Sequence, residues 1–98
     1  MDLTQFRGTV AQGVPPDGIS LALQTLWWDA KGDWDRAHAC AQQDEGKTGS
    51  AVHAYLHRKE GAASNAEYWY ARAGRQFHRP TLESEWEALV AGLLPSGT

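Results

Sequence analysis

Apolar residues recur along this chain at the spacing of helix faces, and glycines interrupt them. Ile19, Leu23, Leu26, Trp27 and Ala30 stand at i, i+4, i+7, i+8 and i+11, one stripe of a helix running from Asp17 or Ser20 to Lys31. Gly32 is a natural stop, because the left-handed backbone that ends a helix suits glycine best. Asp33 then caps a second helix, Trp34 to about Gln43, which buries Trp34, Ala37 and Ala41 with Cys40 alongside. After the loop at 44–50, Thr48 or Ser50 caps a third helix, about Ala51 to Glu60, with a seam of Val52, Tyr55 and Leu56. Gly61 breaks it. Ser64 and Glu67 have the spacing of a capping box and open a fourth helix, with Ala66, Trp69, Tyr70 and Ala73 on one face, ended by Gly74. Following a connector at 75–80, Pro80-Thr81 begins a fifth helix, with Leu82, Trp86, Leu89, Val90 and Leu93 in register. Residues 1–18 hold three glycines and two prolines and read as an N-terminal arm or loop, with at most a short turn or strand around Phe6 to Val10. Phe6 and Val10 are the residues with which it would dock. The pattern predicts an all-α domain over residues 19–98, of about five helices.

The pattern repeats with an offset of 29 residues. Leu23, Leu26, Trp27, Gly32 and Ala37 fall on Val52, Tyr55, Leu56, Gly61 and Ala66. In each copy three apolar residues make the seam of one helix, the glycine turns the chain, and the alanine lets the next helix cross closely. Cys40 and Ala41 correspond to Trp69 and Tyr70. Trp86, Leu89 and Val90 repeat the triplet once more, so the last helix would cap the stack as half a unit.

Here the chain resembles the tetratricopeptide repeats. GDWDRA at 32–37 looks like their turn, and Ala66, Tyr70 and Ala73 match the second-helix pattern of that family; AEYWYARAG at 66–74 is closer still to the SEL-type variant. Ala41 and Asp44 depart from the pattern, and the offset is shorter than that family's. The resemblance implies two stacked antiparallel helical hairpins (TPR-like) plus a C-terminal capping helix, and a role in binding proteins or peptides without catalysis.

Composition narrows the classes. Nine Lys plus Arg against twelve Asp plus Glu give a net charge of −3, which argues against a nucleic-acid binder. No apolar run approaches the length of a membrane span, and the first residues lack the basic flank and apolar core of a signal peptide. Cys40, the single cysteine, excludes an internal disulfide and reads as a small buried hydrophobe. A cytoplasmic protein is the simplest expectation. Five Trp and three Tyr supply large rings for a small core or an interface.

Three groups of residues carry candidate chemistry. His53 and His57 lie at i, i+4 with Glu60 at i+7, bordering the apolar seam, and His38 on the preceding helix can approach them. Three imidazoles and a carboxylate form a donor set for Zn²⁺. Residue 54 is Ala where metalloprotease helices carry Glu, and satisfied boundary histidines are the plainer alternative. Tyr68 and Arg72 lie opposite the apolar face of their helix. With Arg58, Arg75, His78 and Arg79 they would make a basic, aromatic surface for an acidic or phosphorylated peptide, a solvated face being the plainer alternative. Trp28 sits off the seam, as an interface anchor would. There is no glycine-rich phosphate loop, nucleophile elbow or Cys/His motif. Asp29, Asp33 and Asp35 read as capping and helix-end charges, and helices this short leave little room for a pocket.

The sequence therefore predicts a non-catalytic protein without a cofactor. It would bind a protein or peptide, or itself as a homodimer, through Trp28, Arg58, Tyr68 and Arg72, and neither nucleic acid nor membrane. The alternative is a helical protein that binds a metal or ligand through His53, His57, Glu60 and His38, with Zn²⁺ as its cofactor.

Overall fold

The computed structural model describes residues 1–75 and 81–95. Among the described residues six helices form, α1 (Leu3–Thr9), α2 (Leu21–Ala30), α3 (Trp34–Gln43), α4 (Lys47–Lys59), α5 (Ala63–Arg72) and α6 (Leu82–Leu93), and no strand occurs. None of these helices is long and apolar enough to cross a membrane.

The two hairpins α2–α3 and α4–α5 close alike. Gly32 and Gly61 adopt φ of +89° and +88°. Past each glycine the chain bonds back over the helix end, Asp33 N–H to the Trp28 carbonyl and Ala62 N–H to that of His57, both at 2.9 Å. Leu23, Leu26, Trp27 and Ala37 are buried, and so are Val52, Tyr55, Leu56 and Ala66, their counterparts 29 residues on. Gly74 ends α5 in the same way, with φ +72° and Arg75 N–H on the Tyr70 carbonyl.

α4 is the axis of the molecule. It packs against α2, α3, α5 and α6, and every residue from Gly49 to Leu56 is buried. A helix covered on all sides needs small or apolar residues all round, and this run supplies Gly49, Ala51, Val52, Ala54 and Leu56. His53 and Tyr55 are the large polar exceptions.

The first eighteen residues are not merely an arm. They carry α1, opened by a capping box in which Asp2 accepts from the Gln5 N–H while the Gln5 side chain accepts from the Asp2 N–H. Phe6 is wholly buried and meets the Trp86 ring at 6.0 Å. The following turn is fastened to α2: Trp27 Nε1 donates to Thr9 Oγ1, and the Lys31 ammonium donates to the carbonyls of Val10 and Gln12. Docking Phe6 removes a large ring from water, which stabilises the fold by about 1.5–3 kcal/mol.

α6 does not simply cap the stack. It lies against α2 and α4 and also touches α1, and Trp86 Nε1 donates to the Leu26 carbonyl at 3.0 Å. The physical reason is the joint seam of α2 and α4, which Trp86, Leu89 and Val90 cover. On its far edge Glu85 accepts from Arg58 at 2.7 Å and from the Tyr70 hydroxyl.

Two helix starts differ from expectation. α4 begins at Lys47 behind Gly46, because Asp44 organises the turn by accepting from the Gly46 N–H and the Thr48 hydroxyl; Ser50 is buried within the helix. α5 begins at Ala63 behind Ala62, with no side-chain cap, so Ser64 and Glu67 form no capping box. Cys40 is half-buried rather than fully enclosed, and desolvation raises its thiol pKa, which disfavours the reactive thiolate. Ser20, Asp33 and Thr81 cap α2, α3 and α6. Pro80, taken with Thr81 as the start of the last helix, lies outside the described residues.

Candidate metal centre

The hairpin order sets α3 beside α4. The Asp33 cap fixes where α3 starts, which puts His38 a little over one turn in and level with His53 on the neighbouring helix. His57 follows His53 by one turn. The result is a cluster of three imidazoles. His38 Nε2 and His53 Nε2 are 3.0 Å apart, and one ligand atom from each of His38, His53 and His57 falls within 4.8 Å of the others. The rings of His53 and His57 are stacked at 4.8 Å, while His38 meets both edge-on.

Aromatic walls hold these rings in place. Trp34 lies flat on His38, with ring centroids 4.7 Å apart and an interplanar angle of 11°. Trp69 lies flat on His53 at 3.9 Å and 15°, and carries the Arg72 guanidinium at 5.2 Å on its ring. Trp34 is anchored by its Nε1 to the Leu56 carbonyl. Glu60 Oε1 sits 2.6 Å from His57 Nδ1. With Glu60 ionised, Nδ1 carries the shared proton, a tautomer that would leave Nε2 of His57 as its ligand atom. Glu60 is thus a carboxylate behind a histidine, not a member of the cluster; a carboxylate in that position orients the ring and makes it a better donor.

The electrostatics favour neutral rings at His53 and His38. Burial, followed by the neighbouring His38 and His57, pushes the His53 pKa down to about 4. His38 is lowered by burial and by His57, with Glu60 and Asp35 opposing. Neutral imidazole is the form that binds metal. Since one of the paired Nε2 atoms of His38 and His53 must donate to the other, a bound cation would take the place of a single shared proton.

Beside the cluster runs a groove of about 610 Å³ between the end of α3 and α5, with His53 and Trp69 in its wall and Gln42, Glu45 and Arg72 around it. The short helices do leave a usable cleft. A smaller one, about 400 Å³, lies between Arg7, Lys59 and Trp86.

The residues expected to bind a partner do not form one surface. Tyr68 is 56% exposed, and Arg72 lies over it and over Trp69, next to the histidines. Arg58 instead turns to α6, where it pairs with the nearly buried Glu85. Trp28 is half-buried, edge-on to Trp27 and beneath the Arg36 guanidinium. Arg75 is exposed; His78 and Arg79 lie outside the described residues.

Asp29 departs from its expected role as a helix-end charge. It is 5% exposed, accepts from the Tyr55 hydroxyl at 3.0 Å and pairs with Lys59 at 2.9 Å. Sequence reasoning also missed the walls Trp34 and Trp69. For Trp34 the signal was present: it precedes His38 by four residues and so shares its helix face.

No protein-family model, curated protein or solved structure matches this chain.

Proposed function

We propose that this is a metal-binding helical protein that takes one divalent transition ion, Zn²⁺ in the simplest case, on His38, His53 and His57. The observation that carries the reading is the convergence of three imidazole ligand atoms within 4.8 Å. Zn–N bonds of about 2.0–2.1 Å at tetrahedral angles place donor nitrogens about 3.3 Å apart. The His38–His53 pair, at 3.0 Å, is already there. His57 has only to close in by at most roughly 1.5 Å to reach that spacing. Bound metal would join α3 to α4, and hence one hairpin to the other, with Glu60 orienting His57.

The test is a Zn²⁺ titration of chelator-treated protein purified without a histidine tag. One ion per chain, a raised melting temperature and loss of both in His57→Ala are expected. Absence of heat and of any thermal shift at micromolar metal would overturn the reading.

A second reading, docking of an acidic protein or peptide segment, is favoured by the exposed Tyr68 with Arg72 stacked beside it. A TPR-like stacking of the hairpins belongs to that reading, supported by the matched burial and turns 29 residues apart. Arg72→Glu is its probe, since Arg58 is engaged with Glu85. Light scattering at high concentration separates a homodimer from a monomer.

A further inference from the structure

Resting on the metal reading above, we infer that the metal held by His38, His53 and His57 binds a small monodentate anion, in exchange with water, as its fourth ligand. The three donors come from two adjacent helices, so they approach the ion from the side of the α3–α4 pair. Among the described residues no further His, Cys, Asp or Glu joins them. Zn²⁺ and Co²⁺ complete a tetrahedron, and a three-histidine set leaves the fourth corner to an external ligand.

Charge decides what that ligand is. All three donors are neutral imidazoles, so the ion keeps its two positive charges. Among the described residues the carboxylate in contact with the cluster is Glu60, and it is bonded to His57 Nδ1 rather than to the metal position. A net positive centre next to a partly apolar, water-accessible groove attracts an anion. The groove that shares His53 with the cluster is lined also by Trp69, Arg72, Asp44 and Glu45, a lining of mixed charge that disfavours large or multiply charged anions. A single carboxylate, azide or thiocyanate fits these conditions. Phosphate esters and polyanions do not.

The test uses the full chain loaded with Co²⁺, whose visible bands report coordination. Uptake of one Co²⁺ per chain is measured first by equilibrium dialysis. Thiocyanate, azide and acetate are then titrated, with polyphosphate as the large anion. The expected result is a four-coordinate spectrum that shifts saturably with the small anions and is unmoved by polyphosphate. If Co²⁺ binds but its spectrum ignores all the small anions, the fourth-ligand inference falls while the metal reading stands. If no Co²⁺ is taken up, both fall.

Discussion

Lys59 Nζ lies 2.9 Å from Asp29 Oδ1, joining the C-terminal ends of α2 and α4 through a carboxylate that is almost completely enclosed. The other oxygen of Asp29 accepts from Tyr55, whose hydroxyl is desolvated and pushed well above its usual range, first by burial and then by that carboxylate. Asp29→Ala strands the Tyr55 hydroxyl and removes the partner of Lys59. A loss of about 2–3 kcal/mol is expected, read as a lower urea midpoint with an unchanged slope. Tyr55→Phe alone costs about 1 kcal/mol, and the double variant costs less than the two losses added together.

Acid weakens the metal-free protein through its histidines. Folded His53 stays neutral to about pH 4, whereas in the unfolded chain it protonates near the ordinary histidine value of 6.5. Between these values the unfolded state binds more protons, so stability falls as the pH drops from about 6.5 to about 4 and then levels off. The groups facing the ring are His38 and His57, and His38 is shifted in the same direction. Thermal melts should lose several degrees across this window, and His53→Gln should flatten the profile. An equally steep profile in that variant would assign the acid sensitivity elsewhere.

Gly49 and Gly92 should respond to alanine in opposite ways. A methyl group on Gly49 would stand 2.6 Å from Asp44 Cβ and overlap the Asp44 carbonyl, whereas one on Gly92 meets nothing within 4 Å. Gly49→Ala must push the α3–α4 turn away and costs about 2–3 kcal/mol. Gly92→Ala, in helical backbone near the end of α6, gains up to about 0.5–1 kcal/mol. Paired thermal melts decide both.

Phe6→Ala tests whether α1 belongs to the folded core. Phe6 is fully buried against Trp86, so a loss of about 3–4 kcal/mol is expected. Limited proteolysis should then cut first within residues 1–18. If stability falls by no more than about 0.5 kcal/mol, as at an ordinary surface site, α1 adds little to the fold.

Much of the helical plan was legible in the sequence, because the apolar triplets and the turn glycines carry it locally. Gly32 and Gly61 need left-handed backbone, and their spacing marks two like hairpins. α1 was obscured by the glycines and prolines around it, although Asp2 and Gln5 hold the spacing of a capping box. Ser64 and Glu67 hold the same spacing and do not use it, since the exit from Gly61 places Ala62 at the helix start. Such a motif becomes a cap only where the preceding turn delivers the chain correctly. Where α6 packs was not legible: its periodicity says that Trp86 is covered, but not by what.

The site divides in the same way. His53 and His57 share a face by spacing alone. His38 joins them only because α3 and α4 are neighbours, a tertiary fact. Glu60 lies near the cluster, as its spacing predicts, but from its place at the helix end it reaches His57 Nδ1 rather than the centre of the cluster. Arg58 reads as surface in the sequence because nothing local announces Glu85, 27 residues away.

The enclosure of α4 has a consequence for how the molecule opens. In an array of repeats each unit meets only its neighbours, so an end can fray while the rest persists. Here the helix shared by both hairpins and by α6 lies in the middle, and losing any one neighbour bares part of it. Its amide protons should therefore exchange with solvent only when the whole chain unfolds, at one common free energy from Val52 to Leu56. Neither residues 1–46 nor residues 47–98 should fold as a separate fragment.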